Sequence, residues 1–560
     1  MASNKVIIYQ IFTRLYSNRC QTRKPFGTIE ENGCGKLNDF TPTVLKSIRE
    51  LGATHVWFTG VIRHATMTDY SRYGIPRQHP AVVKGRAGSP YAITDYYDID
   101  PDLAVDVERR MEEFERLVAR THRAGLKVII DFVPNHVARE YKSICKPEGI
   151  KDLGENDDPT KHFSTANNFY YCWGQPLDLS NIVSQTANPY NEFPAKATGN
   201  DQFSNKPTPN DWYETVKLNY GIDYCDAGGR SEHFDPIPDT WNKMTDILLF
   251  WAQKGVDGFR CDMAEMVPAA FWAWATDKVK YRYPEKIFVG EVYDPNQYDR
   301  YIGAGFDYLY DKVGMYDCLR DVICGMRPAA DITRQWQTTD RLRPHMLYFL
   351  ENHDEQRIAS SFFAGEAMKA IPAVYVSVLL YSNPFMLYAG QEFGEAGMDE
   401  EGFSGKDGRT TIFDYWCVPS LMRGYFDRRR MKKSERSLMT IYQNILNMAI
   451  NEKAIREGDS FDLMYVNPQL AEQQFAFIRK ADDEMILVVA NFGSFDVATS
   501  VVVPSHAFTH LMIPEMETTA VDLVTKEQMK VVLRPDKPLP ITIGALSARV
   551  YKFMINHKEH

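Results

Sequence analysis

Short apolar runs alternate with segments of helical spacing along most of this chain, and that alternation constrains the fold more than any other feature. Lys5 to Phe12 reads as a strand, Thr41 to Leu51 as a helix ending at Gly52, and Thr54 to Thr59 as a second strand. Val105 to Ala124 places Val107, Met111, Phe114, Leu117 and Val118 on one helical face and stops at Gly125; Lys127 to Phe132 is a third strand. This order implies parallel strands joined by crossover helices. From Val137 to about Tyr220 the alternation stops in a stretch rich in Asn, Asp, Pro, Gly and aromatic residues. It is far too long for an ordinary connection and predicts an inserted subdomain.

The alternation then resumes. Thr240 to Lys254 is helical, Val256 to Arg260 is strand four, Ala269 to Tyr281 a helix, Lys286 to Gly290 strand five and Phe306 to Tyr310 strand six. A helix over Val313 to Gly325, strand seven at Met346 to Leu350, a helix over Glu366 to Tyr381, strand eight at Pro384 to Tyr388 and a helix over Arg436 to Ile450 complete the series. The prediction is an α/β fold: a (β/α)8 TIM barrel over residues 1–136 and 221–458, with an inserted subdomain, 137–220, after strand three. Beyond Asp459, short runs at Phe475–Ile478, Met485–Phe492, Val497–Val503, Met529–Leu533 and Val550–Met554 predict a C-terminal antiparallel β-sandwich over 459–560.

Composition narrows the partners. Net charge is −10 with no long basic run, which argues against nucleic acid or an anionic membrane as the main partner. No apolar window is long enough to span a bilayer, and the N-terminus lacks the pattern of a signal peptide. The nine cysteines are odd in number and scattered without a C-x-x-C pair, so disulfides and structural zinc are not expected and a reducing cytoplasm fits. Oligomeric state is not legible.

Barrels of this kind place chemistry at the C-terminal ends of their strands. Strand three ends in Asp131-Phe132-Val133-Pro134-Asn135-His136, strand four in Arg260-Cys261-Asp262, strand five in Gly290-Glu291-Val292-Tyr293, and strand seven in Leu350-Glu351-Asn352-His353-Asp354. Arg260 and Asp262 share one side of an extended strand, so a permanent cation lies beside a carboxylate and favours its ionised form. Alone, that pair equally supports a structural ion pair and a nucleophile. Four polar clusters in order, bringing carboxylates to one rim, exceed what turn chemistry explains.

Those same motifs, with Gly52-Ala53-Thr54-His55-Val56-Trp57, Tyr91-Ala92-Ile93-Thr94-Asp95-Tyr96-Tyr97, Val216-Lys217-Leu218-Asn219-Tyr220 and Tyr388-Ala389-Gly390-Gln391-Glu392, resemble the α-amylase family of glycoside hydrolases over nearly the whole chain. The resemblance implies retaining hydrolysis of α-1,4-glucans or maltooligosaccharides. Asp262 would attack the anomeric carbon, and Glu291 would protonate the departing oxygen and then deprotonate water. The chemistry asks for a raised pKa at Glu291 while Arg260 keeps Asp262 ionised. Asp354 would bind the hydroxyls beside the reacting carbon, His136 and His353 would donate to the same sugar, and Tyr91 would stack beneath it.

The resemblance also implies a calcium ligand at Asn135, although Met266 stands where calcium-binding relatives often have a His supplying its carbonyl, and the loop Thr28 to Asp39 is a poor match to an Asp-rich calcium loop. No organic cofactor is expected. Relatives that remove single glucoses commonly have Asp after the Tyr of the Tyr91 motif, paired with an Arg. Here Ala92 takes that place while Arg357 is present, which leans toward an open cleft. Transfer of the glycosyl group to a sugar stays open beside hydrolysis. A non-catalytic glucan-binding protein is disfavoured by the intact Asp262, Glu291 and Asp354.

Overall fold

The computed structural model describes residues 5–183, 186–397 and 406–555; the first four and last five positions covered by the sequence reading lie outside it. Eight parallel strands close into a barrel in sequential order: β1 (Ile7–Phe12), β2 (His55–Thr59), β3 (Lys127–Phe132), β4 (Gly258–Cys261), β5 (Ile287–Gly290), β6 (Tyr308–Tyr310), β7 (Met346–Phe349) and β8 (Phe385–Tyr388). Strand alternation sorts the side chains. Ile8, Trp57, Ile129, Val289, Leu347 and Met386 pack together as one buried cluster, while neighbours such as Tyr9, Val56, Ile130, Phe259 and Phe288 belong to the larger core shared with the helices. The residues two positions further along β1, β3 and β4 from the inner layer are Gln10, Asp131 and Arg260, all buried.

Local chemistry sets the helix ends. Helix α1 (Pro42–Leu51) begins with the Thr41 side chain accepting from the Val44 amide and with Pro42 at its first position. It ends at Gly52, whose φ of 115° and whose close approach to Leu446 (a Cβ would stand 2.7 Å away) both require glycine. Helix α2 (Arg110–Arg123) starts later than its periodicity predicts, because Glu113 folds back to accept from the amides of Val105 and Asp106. The helix expected over 313–325 is broken into a wide turn, Lys312–Tyr316, and a short helix, Asp317–Ile323; a further helix, Asp331–Thr339, was not legible.

The irregular stretch after β3 contains only short pairings. His136–Ala138 pairs with Thr215–Lys217, and Tyr171–Cys172 with Ala195–Lys196. It continues past Tyr220 through a small hairpin, Ile222–Asp223 with Ser231–Glu232, and helical structure resumes only at Asp239. At the C-terminus a six-stranded antiparallel sheet is accompanied by a two-stranded one, Val497–Val501 with Leu539–Ile543. The second strand of that pair escaped the sequence reading because Pro540 breaks its pattern; an edge position tolerates it. Buried Arg479 ties this region to the barrel through the carbonyls of Leu379 (2.9 Å) and Ile455 (3.0 Å). Among the described residues, no helix is long and apolar enough to cross a membrane.

Candidate active site

The barrel ladder continues one residue beyond β4 and β5. The Asp262 amide donates to the Phe132 carbonyl (2.9 Å) and the Glu291 amide to Cys261 (3.1 Å), so the two carboxylates leave adjacent strands at matching heights. Arg260 joins them. One guanidinium nitrogen lies 2.6 Å from Asp262 Oδ1 and the other 2.8 Å from Glu291 Oε2; Asp131 Oδ1 is 3.6 Å from the first. Only 1% of Arg260 is exposed, and Trp57, Tyr91 and Tyr310 present ring faces to it at 5.2–5.6 Å. This is more than the Arg–Asp pair expected from strand spacing: the cation is shared by three carboxylates.

Both oxygens of Glu291 are engaged. Tyr293 donates its hydroxyl to Oε1 (2.6 Å), and the Met263 amide donates to Oε2 (2.8 Å). Met263 achieves this in a left-handed conformation, φ 43°, uncommon for a residue with a side chain. The strand-five motif assigns Tyr293 no role, yet its spacing of two from Glu291 puts both on one side of the extended chain.

Asp354, past β7, keeps 39% of its side chain in contact with solvent. His353 beside it is buried. With the Gln10 amide donating to Nδ1 (2.8 Å), the ring proton is assigned to Nε2, between the Tyr91 hydroxyl (2.6 Å) and Asp354 Oδ2 (3.1 Å). The Tyr91 ring lies against the His353 ring at 5.3 Å, so His353 stands behind Tyr91, orienting it and Asp354. It is not among the residues that line the cavity, where a direct donor to sugar was expected.

A cavity of about 240 Å³ is lined by Asp262, Glu291, Asp354, Tyr91, His136 and Tyr293. Its walls also include the buried Lys84–Glu214 ion pair (3.2 Å), Trp212, Ile412 and Phe413. These come from loops whose sequences carry no regular pattern, and nothing in the chain marked them in advance. A larger cavity of about 470 Å³ lies at the opposite mouth of the barrel, near Val6, Tyr308 and Pro384, but holds none of the strand-end carboxylates. The chemistry belongs to the smaller one.

Two expected binding residues are placed elsewhere. Arg357 is 1% exposed and turned away from the cavity, bonded to Glu351 (2.8 Å), the Thr410 hydroxyl (2.9 Å) and the Ala389 carbonyl (3.1 Å) over the Tyr388 ring. Arg357, which the resemblance puts among the substrate-binding residues, spends its donors on the protein. Ala92 is packed with Ala65, Val83 and Ala138, so no Arg–Asp pair closes the site. Asn135, the expected metal ligand, accepts through Oδ1 from the Lys217 ammonium, which takes up the oxygen a calcium ion would need. In the 28–39 loop, Glu31 is engaged by Lys24 and the Thr28 amide, and the Asn32 amide by backbone carbonyls, leaving it a poor calcium cradle.

Burial dominates the electrostatics. It pushes Asp262 well above the usual carboxylate range; Arg260 opposes the shift, and Glu291, Asp131 and Asp354 reinforce it. Asp354 is pushed up to about 7 by burial and then by Glu291, although its partial exposure softens the effect, and Asp131 is pushed up to about 6 by burial against Arg260. Arg260 is thus shared among three carboxylates rather than reserved for Asp262, and it opposes the upward push of burial on Asp262, Asp131 and Asp354. Burial pulls His136 down to about 3, with Lys217 adding to the effect, so its imidazole is neutral.

A closed parallel barrel with carboxylates on adjacent strand ends around a shared arginine defines a class of barrel glycoside hydrolases. The model of the α-amylase catalytic domain matches residues 22–416, and the chain belongs to the α-amylase family. It is 25% identical over 425 residues to Alpha-amylase 3 of Dictyoglomus thermophilum, covering 72% of this chain and 74% of that protein. It is 22% identical over 512 residues to Neopullulanase 2 of Thermoactinomyces vulgaris, covering 87% and 69%. Among solved structures, an α-amylase from Geobacillus thermoleovorans, complexed with acarbose, superposes with a TM-score of 0.65 at 17% identity, covering all of both chains. The protein is a glycoside hydrolase of α-glucans.

Proposed function

We propose that the protein hydrolyses α-1,4-glucosidic bonds of starch-like glucans or maltooligosaccharides with retention, through a covalent glycosyl-enzyme on Asp262. The observation that carries this reading is the Arg260 guanidinium holding Asp262 and Glu291 on its two terminal nitrogens. Retention needs two carboxyl groups roughly 5–5.5 Å apart flanking the bond; neighbouring strand ends drawn to one guanidinium support that reading.

In the first step Glu291 gives its proton to the glycosidic oxygen while an Asp262 oxygen bonds to the anomeric carbon and the aglycone leaves. In the second, Glu291 takes a proton from water, the water oxygen bonds to the anomeric carbon, and the bond to Asp262 breaks. Charge moves from Asp262 to Glu291 as the glycosyl-enzyme forms, and Arg260, touching both, stays paired throughout. The Met263 amide and the Tyr293 hydroxyl hold the Glu291 carboxyl in place for both proton transfers. Asp354 and His136 face the cavity as partners for sugar hydroxyls, and Tyr91 lines it with its ring stacked on His353 and its hydroxyl bonded to that imidazole.

The relatives' names, amylase and neopullulanase, support an α-glucan substrate. The scattered thiols support work in a reducing, cytoplasmic compartment. The test is chromatography of the products from maltoheptaose. Shorter sugars alone are expected; longer products would mean that sugar hydroxyls outcompete water for the glycosyl-enzyme, and no turnover of any α-glucan would overturn the reading.

A further inference from the structure

Lys217 is a charged side chain in an unusual place. It lies at the end of the short strand Thr215–Lys217, opposite His136, and only 2% of it is exposed. An ammonium has three protons to donate and no acceptor. Here three oxygens surround it: the Asn135 side-chain oxygen, Asp201 Oδ1 at 2.7 Å and the Met266 carbonyl at 3.2 Å. They are an amide, a carboxylate and a backbone carbonyl, the mixture of hard oxygens that suits a calcium ion. They also come from three separate places: the end of β3, the irregular stretch after it, and the loop that follows Asp262. The Asn135 and Met266 positions are those at which the family resemblance anticipated a metal.

We propose that Lys217 is the resident cation of this site, its ammonium cross-linking the β3 end, the 137–238 stretch and the loop after Asp262, so that the enzyme needs no divalent metal there. A calcium ion takes six to eight oxygens at about 2.3–2.6 Å, and the ammonium already stands among the three on offer. The cross-link reaches the chemistry through backbone. The Met266 amide donates to the Met263 carbonyl (3.0 Å), and Met263 in turn donates its amide to Glu291 Oε2 (2.8 Å). On the other side, Asn135 precedes His136, which faces the cavity. Lys217 is therefore a positioning residue: it touches no reacting atom but braces the turn that orients the acid. The outward salt link of Asp201 to Arg230, at 3.9 Å, leaves Lys217 as its near partner.

The test uses the full chain in two arms. In the first, melting temperature and activity of the wild type are measured after exhaustive dialysis against EDTA and again in millimolar CaCl2. Lys217 as resident cation predicts no shift in either, whereas a true calcium site would raise the midpoint by several degrees once saturated. In the second, Lys217→Met keeps the stem and removes the charge. It is expected to lower the midpoint by about 5 °C or more, since three buried oxygens lose their donor. It should also cut kcat about tenfold with KM little changed, because the braced Met263–Glu291 contact acts on the reacting state. A chelator-sensitive wild type, or a K217M variant with the wild-type midpoint and kcat, would overturn the proposal. Should K217M fail to fold, the first arm still decides. The melting readout is independent of which glucan the enzyme prefers.

Discussion

Asp262→Asn is expected to lower turnover of maltooligosaccharides by about four orders of magnitude or more while leaving the fold in place. The amide has nearly the shape of the carboxylate but cannot form the glycosyl-enzyme. Arg260 could still donate to the amide oxygen at position 262 and would lose only that partner's charge, while it keeps Glu291 at 2.8 Å and the three surrounding rings, so the cation stays compensated. Circular dichroism and a thermal melt check the fold, and reducing-end release checks turnover. Ordinary activity in this variant would show that Asp262 belongs to a structural ion pair.

Arg260→Met should be the most damaging single change to stability near this site. It leaves Asp131, Asp262 and Glu291, each buried, without their shared cation, and unpaired buried charge costs about 3–5 kcal/mol. The loss should grow with pH, and the sign follows from the directions of the shifts. Asp131 and Asp354 already titrate near 6 and 7 in the folded protein, above the ordinary carboxylate value, so the folded state binds more protons than the unfolded one between about pH 4 and 7. Stability contributed by these groups is present at the acid end of that window and lost as pH rises through the folded values. Without Arg260, which lowers both, the folded values climb further and the decline steepens. Denaturant melts at pH 5 and pH 8 measure this; a variant as stable as the wild type at pH 8 would mean that the guanidinium offsets nothing.

The parts of this molecule that were legible in sequence share a physical basis. Buried strands read as apolar runs, and each polar cluster followed such a run directly, so Asp262 and Glu291 stood at strand ends and Asp354 shortly after one. The eightfold alternation fixed the barrel for the same reason. The misses also have reasons. Arg357 follows Asp354 in sequence, but buried Glu351 pairs with it at 2.8 Å, a partner that spacing alone does not reveal. The resemblance implied His353 as a sugar donor; Gln10, distant in sequence, holds its ring behind Tyr91. Asn135 was read as a metal ligand, and the residue that takes its oxygen, Lys217, lies on the far side of the insertion in a motif quoted only as a match. Trp212, Phe413 and the Lys84–Glu214 pair wall the cavity from loops, where function is carried without periodicity.

Double displacement on Asp262 underlies the whole reaction proposed for this enzyme. Time-resolved NMR of the anomeric protons during hydrolysis of a maltooligosaccharide, read before mutarotation mixes the signals, tests it most directly. Two inversions restore the starting configuration, so the first product should carry the α-anomer. A β-anomer as first product would mean that water attacks the substrate directly, and that Asp262 is a base rather than the nucleophile.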